Sequence, residues 1–252
     1  MDKKYFIAKQ KIKSILRCGI NFVSDKQKCI LCNKTSIKYS VCPECNKTFY
    51  SVANNDTKIC KICGKTLVSE DELCFDCREN PVLKTTEHVF TLYSYRLWNV
   101  TLMIRWKLDE DRSLSQFFSE KIHQKIMELS CGNSDFQDIV LVPVPPRPGK
   151  IKEKGWDQVR DLCDYLQYKY GHKIDDCLVR NTVVEQKKLD KEERLSTIEN
   201  AYSYKNEKFL QNVNVCIIDD VITTGSTIEC CARILKNHGA KKVYAISLFI
   251  VD

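Results

Sequence analysis

The chain has 252 residues and carries 40 Lys and Arg against 33 Asp and Glu, a formal charge of +7, with 43% hydrophobic residues. Residues 1–84 hold 16 Lys/Arg and 9 Asp/Glu, whereas residues 85–252 hold 24 of each. A uniformly basic protein is thereby excluded. What remains is a basic head of residues 1–84 on a neutral globular body, long enough for one or two domains with a proper core.

Lys interrupts the first residues, MDKKYFIAKQKIKSILRCGINFV, at short intervals, and they lack the apolar centre of a signal peptide. Ile7, Ile12, Ile15 and Leu16 fall roughly on one face of a short amphipathic helix over residues 4–17. Such a stripe serves either packing on the body or binding to a partner or membrane surface, and packing is the commoner use. No apolar run approaches the roughly 18 residues that cross a bilayer. The 15 cysteines are therefore expected in a reducing cytoplasm, where pairs of Cys act as metal ligands rather than disulfides.

Eight of those cysteines form an internal repeat. Cys29-Ile-Leu-Cys32-Asn-Lys-Thr aligns with Cys60-Lys-Ile-Cys63-Gly-Lys-Thr, and the two units close with Cys42/Cys45 and Cys74/Cys77. Residues 51–57, SVANNDT, read as a polar linker between them. Four thiolates suit a tetrahedral Zn²⁺ with no open position, so two such sites imply structure and docking rather than metal catalysis. Sequential pairing is favoured by the repeat: Cys29, Cys32, Cys42 and Cys45 in one site, Cys60, Cys63, Cys74 and Cys77 in the other. The crossed pairing of first with third pairs remains open at this point, and iron–sulfur ligation is the less suited alternative. Since the ligands bind as thiolates, two zinc sites reduce the head's charge to about +3.

The body begins near residue 85. Residues 88–95 alternate like a strand, and 97–108 and 113–129 have helical periodicity around an acidic turn at 109–111. Residues 138–145, DIVLVPVP, form an apolar strand entering a proline loop. A helix follows at 156–170, a buried strand at 214–218, a helix at 227–238 stopped by Gly239, and a last strand at 242–251. Apolar strands alternating with helices imply an α/β fold with a mainly parallel sheet and helices on its faces. Three segments result: the helix within 1–27, a four-cysteine tandem over 28–84, and the α/β body over 85–252.

The most informative run is Val215-Cys-Ile-Ile-Asp219-Asp220-Val-Ile-Thr223-Thr224-Gly225-Ser226-Thr227. A buried strand delivers two carboxylates at its carboxyl end, where open α/β sheets bind ligands. The hydroxyl-rich turn then opens a helix, whose free N–H groups and positive dipole end suit a phosphate dianion. Paired acids suit the vicinal hydroxyls of a ribose, directly or through Mg²⁺. The plainer alternative is a capped strand-to-helix turn.

This run resembles the phosphoribosyl-pyrophosphate (PRPP) motif of type I phosphoribosyltransferases. The whole chain resembles the ComF family of competence proteins, which join a cysteine zinc module to a phosphoribosyltransferase-like domain. Val142-Pro143-Val144-Pro145, Lys154-Gly155-Trp156-Asp157-Gln158, Trp106-Lys107-Leu108, and Arg180-Asn-Thr with Gln186-Lys-Lys-Leu and Arg194 stand at the family's other motifs. The resemblance implies a fold of phosphoribosyltransferase type with a tandem zinc-ribbon head. It also implies Mg²⁺–PRPP held by Asp219, Asp220, Thr223, Thr224, Gly225, Ser226 and Thr227, with Lys154 and Arg194 on its anionic groups. In a catalytic reading Asp219 and Asp220 carry the reaction. Arg147, Lys152, Lys107 and Arg180 are further cations for a pyrophosphate. Lys154 and Asp157 replace the family's usual Arg and Asn, exchanging a forked donor for a point charge and an amide for an acid. The competing reading is a non-catalytic module handling single-stranded DNA in natural transformation. Head lysines 26, 28, 34, 38, 47, 58, 61 and 65 would then meet phosphates, with Phe49 and Tyr50 stacking on bases. In either reading, docking of the head onto a competence-machinery protein or onto the body is the third option.

Overall fold

The computed structural model describes residues 28–36, 40–53, 58–95, 98–181, 201–205 and 210–251. The helix expected over 4–17, the Gln186 segment, Arg194 and the lysines at 26 and 38 lie outside them.

The body is a five-stranded sheet in the order β1 (His88–Ser94), β7 (Val243–Ile250), β6 (Val215–Ile222), β2 (Val140–Pro143) and β3 (Lys173–Ile174), with every pairing parallel. All eight residues of β7 are buried, as are the first five of β6. Such strands are apolar on both sides because each face of the sheet is covered. Alternation along the pleat divides the two cores. Cys216 and Ile218 face helices α4 (Ser113–Gly132) and α6 (Gln158–Tyr170), while Val215 and Ile217 face helix α7 (Ser226–Asn237). A small antiparallel pair, β4 (Leu178–Arg180) and β5 (Tyr202–Tyr204), packs beside α7.

Local chemistry moves several boundaries from their expected places. The helix expected from Trp156 starts at Gln158 because Asp157 caps it, its carboxylate accepting from the Arg160 N–H at 3.0 Å. Strand β2 stops at Pro143, short of 145, since Pro145 and Pro146 have no N–H for a ladder. Strand β6 does not end at Ile218 but runs through both acids to Ile222. Part of the expected linker is helical, because α1 (Pro43–Ala53) takes in residues 51–53, which hold no Gly or Pro to stop it. The remaining helices are α2 (Phe75–Glu79), α3 (Trp98–Lys107) and α5 (Lys150–Lys154). Gly239, at φ +93, ends α7 as expected.

The repeat in the head is a repeat of hydrogen bonds. In the first unit Cys29 N–H donates to the Lys34 carbonyl at 2.7 Å and Asn33 N–H to the Cys29 carbonyl at 2.9 Å. In the second, Cys60 donates to Lys65 at 2.8 Å and Gly64 to Cys60 at 3.0 Å. Asn33 (φ +57) and Gly64 (φ +73) take the left-handed conformation at the same place in each turn.

Both units are joined to the sheet. Cys29, Val41 and Cys42 belong to the core under α4 and α6. The second unit lies along the free edge of β1: Val89 N–H donates to the Ile62 carbonyl at 3.0 Å, Thr91 Oγ1 donates to the Gly64 carbonyl at 2.7 Å, and His88 Nδ1 is bonded to the Lys61 carbonyl. The approach is so close that a Cβ on Gly64 would sit 2.6 Å from the Val89 carbonyl oxygen. Gly64→Ala is therefore expected to destabilise the protein by roughly 2–4 kcal/mol, through backbone strain and overpacking together. Denaturant unfolding of variant and parent measures this; equal midpoints would contradict the docked arrangement.

Candidate functional site

The structure groups the cysteines sequentially. Within each of the sets Cys29, Cys32, Cys42, Cys45 and Cys60, Cys63, Cys74, Cys77, the four sulfurs lie within 4.8 Å of one another. Cys32 and Cys42 Sγ are 3.7 Å apart, as are Cys63 and Cys74 Sγ. A tetrahedron with metal–sulfur bonds of about 2.3 Å has edges of about 3.8 Å, so both sets fit one ion of zinc's size and preference. Burial pushes the Cys29 thiol up, but N–H groups of Cys42, Cys32 and Leu31 outweigh it and bring it down to about 7. Cys60 is brought to about 7 in the same manner. Burial, then the neighbouring Cys60, pushes Cys63 up to about 12. Four such sulfurs hold protons against one another, and a dication resolves that conflict.

The second site sits at the carboxyl end of β6, the central strand. Asp219 is buried, 8% exposed, and Asp220 is partly buried beside it. Asp219 Oδ1 accepts the Asp220 N–H at 2.8 Å, and Lys107 Nζ from α3 pairs with Asp220 Oδ2 at 2.7 Å. Burial, and then the Asp220 carboxylate, push the Asp219 carboxyl up to about 7, against the opposing pull of Lys107. Lys107 thus serves the acid pair directly, rather than standing free for a pyrophosphate.

After β6, residues 223–225 turn into α7. Gly225 has φ +83, and a Cβ there would meet the Leu83 side chain at 3.0–3.3 Å. Thr224 Oγ1 and Ser226 Oγ are 2.8 Å apart, and the Ser226 N–H points to Thr224 Oγ1 at 3.4 Å. The Thr227 hydroxyl is hydrogen-bonded to Tyr202 of β5. The loop therefore presents hydroxyls and helix-start N–H groups beside two carboxylates, a combination suited to a phosphorylated sugar.

Other sequence-predicted residues divide into two groups. Arg180 lies over the Tyr202 ring at 5.5 Å, and its buried Nε has no hydrogen-bond partner among the described residues. Lys154 is exposed at the end of α5, and Arg147 pairs with Glu153. Asp157 is a helix cap that also accepts from Lys150 Nζ at 2.8 Å, and its charge adds to the repulsion on Asp219. Trp156 is buried against Trp106, with the Arg112 guanidinium over its ring. The histidines pack or cap: His123 bonds to His172 at 2.9 Å, and His238 stacks on Tyr204.

Sequence reasoning passed over Glu229, Leu83 and Tyr202. Glu229, one turn into α7, is only 5% exposed. Its carboxylate accepts from the Lys84 and Thr85 N–H groups at 3.0 Å and from Thr85 Oγ1 at 2.6 Å. The one available signal was an acid in the first turn of the helix, which a dipole argument would have explained without a partner.

The phosphoribosyl transferase domain family matches residues 173–250, the span holding β3, the β4–β5 pair, both acids, the hydroxyl-rich loop and the last strand. With the parallel sheet and its flanking helices, the match gives the body a phosphoribosyltransferase-like fold. Two proteins named Competence protein ComFC are similar to nearly the whole chain. That of Streptococcus pneumoniae (strain ATCC BAA-255 / R6) is 25% identical over 238 residues, covering 88% of this chain and 99% of its own. That of Bacillus subtilis (strain 168) is 26% identical over 216 residues, covering 83% and 82%. These matches bear out the ComF resemblance carried by the motifs. A crystal structure of a hypoxanthine phosphoribosyltransferase from Staphylococcus aureus aligns at 12% identity with a TM-score of 0.34, over 55% of this chain and 64% of its own. Among the described residues, no helix is long and apolar enough to cross a membrane.

The buried acid yields a pH prediction. With its folded-state carboxyl at about 7, above the ordinary value, Asp219 favours the fold while protonated and costs stability as pH rises toward 7. Asp219→Asn keeps an acceptor for the Asp220 N–H without the charge. Its stability gain over the parent is expected to grow from pH 5 to pH 8, reaching on the order of a few kcal/mol. Thermal unfolding at the two pH values tests this, and a gain that shrinks with rising pH contradicts it.

Proposed function

We propose that this protein binds PRPP with Mg²⁺ on the phosphoribosyltransferase-like domain, and carries two structural zinc ions on its eight head cysteines. The observation that carries the reading is the continuity of the site: one strand, buried up to Asp219, holds Asp219 and Asp220 in its carboxyl-terminal half and passes within three residues into a hydroxyl loop at a helix start. The ribose hydroxyls fit the acid pair, and the 5′-phosphate fits Thr223–Thr227. Mg²⁺ supplies charge neutralisation for the pyrophosphate when bound. Arg180, whose Nε has no hydrogen-bond partner among the described residues, is a cation that would add to it.

In a catalytic cycle an incoming nucleophile bonds to the anomeric carbon as the carbon–oxygen bond to pyrophosphate breaks. The electron pair leaves with pyrophosphate, and the positive charge developing on the sugar is stabilised by nearby carboxylates. Ionised Asp219 suits that task, so binding and turnover should both rise as pH passes upward through about 7.

The names of the two relatives favour a second reading, a role in competence, for which we propose single-stranded DNA as the partner. The charge distribution narrows where DNA would bind. Residues 58–84 hold five Lys/Arg and five Asp/Glu, and Lys58 and Lys61 pair with Asp71 and Glu72. Lys34 pairs with Glu44 in the first unit. The formal surplus falls mainly on residues 1–27, with seven Lys/Arg against two acids. In this reading the first segment, rather than the cysteine units, carries the charge for a DNA contact.

Calorimetry with PRPP and Mg²⁺ is expected to show binding that Asp219→Ala with Asp220→Ala weakens at least 100-fold. No binding by the parent, or unchanged binding by the variant, overturns the reading. Metal analysis of the purified protein should find two zinc ions per chain, falling to one in Cys60→Ser.

A further inference from the structure

The last residues of the head do not simply link it to the body. After Cys77 the chain passes Leu83, whose side chain is 5% exposed and lies directly beneath Gly225 of the hydroxyl loop. Lys84 and Thr85 then give their N–H groups to Glu229, and the Thr86 hydroxyl lies 3.5 Å from the same carboxylate. Glu87 N–H immediately starts the sheet by donating to the Val243 carbonyl at 2.8 Å. The strap of residues 83–86 thus runs from the second cysteine unit at one end into β1 at the other. At its middle it is held by the first turn of the helix that begins the candidate phosphate site. Glu229 N–H donates in turn to the Gly225 carbonyl at 2.9 Å, so one residue touches both strap and loop.

We propose that Glu229 is a positioning residue that couples metal loading of Cys60, Cys63, Cys74 and Cys77 to phosphate-ligand binding at Thr223–Thr227. The inference rests on the PRPP reading above and adds to it a reciprocal link between the two sites. When Glu229 fixes the strap, Leu83 supports Gly225 in its left-handed conformation and the N–H groups at the start of α7 keep one orientation. Loss of metal from the second unit frees Ile62 and Gly64 from β1 and releases the strap from its head end. By linkage, a ligand that orders the loop must then hold the metal more tightly in that unit. The first unit contributes Cys29, Val41 and Cys42 to the core under α4 and α6 rather than to the core that holds Leu83, so it lies outside the link.

Pulse alkylation of the full-length zinc protein with N-ethylmaleimide, read by peptide mapping, follows each cysteine set separately. Saturating Mg²⁺–PRPP is expected to slow labelling of Cys60, Cys63, Cys74 and Cys77 about tenfold, and to leave Cys29, Cys32, Cys42 and Cys45 within twofold. Glu229→Gln should speed labelling of the second set without ligand, remove most of its protection by PRPP, and weaken PRPP binding about tenfold. Thr85→Val, a milder change that deletes the 2.6 Å donor, should give the same pattern at smaller amplitude if Glu229→Gln fails to fold. PRPP binding with equal labelling of both sets overturns the coupling while leaving the binding function intact. If neither variant changes labelling without ligand, the strap is not a tie at all. Absence of PRPP binding in the parent defeats both the function and the coupling, even where the variants still accelerate labelling.

Discussion

Two carboxylates stand side by side at the end of a strand whose preceding four residues are fully buried. Nearly everything near them manages that charge. Asp219 is held where its ionised form is disfavoured, and Lys107 is brought across from α3 to offset Asp220. Asp157 adds a third repelling charge, itself held by Lys150 and by the start of α6. The arrangement costs stability, and under the proposed function it gives a cation or a developing positive charge a place with little competing water.

A parallel sheet explains why the acids stand there. The strand must be apolar over its buried length, so polar chemistry can enter only at its end, where it meets the next helix start. Helix α7 packs its apolar side, Ile228, Cys231, Ala232 and Leu235, under the sheet and so fixes the direction of its first N–H groups. Site geometry and core packing are consequences of the same pair of elements.

The sheet, the helices on its faces and the two cysteine sets were readable from sequence because each rests on a local period: two for the strands, near 3.6 for the helices, and a repeat of about 31 residues for the knuckles. The acid pair and hydroxyl loop were readable because they are contiguous. Glu229 was not, since its partners Lys84 and Thr85 lie more than 140 residues away in sequence and no local pattern marks them. The two-residue β3 and three-residue β4 and β5 are too short to show a period. Asp157 illustrates a different difficulty, for it stood out in sequence only as an acid in place of the family's usual Asn, whereas its geometry makes it a helix cap. The joining of the head to β1 was likewise invisible, being carried by backbone carbonyls of residues 61, 62 and 64.

Those carbonyls also cover one margin of the sheet. Strand β1, HVFTLYS, is seven residues of mainly apolar and β-branched sequence with one side paired to β7. Its other side would be an open row of donors and acceptors, the kind of edge that recruits further strands from other molecules. The second cysteine unit covers part of that row, the Ile62 carbonyl accepting the Val89 N–H and the Gly64 and Lys61 carbonyls meeting the Thr91 and His88 side chains. In the proposed zinc-bound form, loss of the ion from this unit would uncover that margin and leave β1 open to pairing with strands of other molecules.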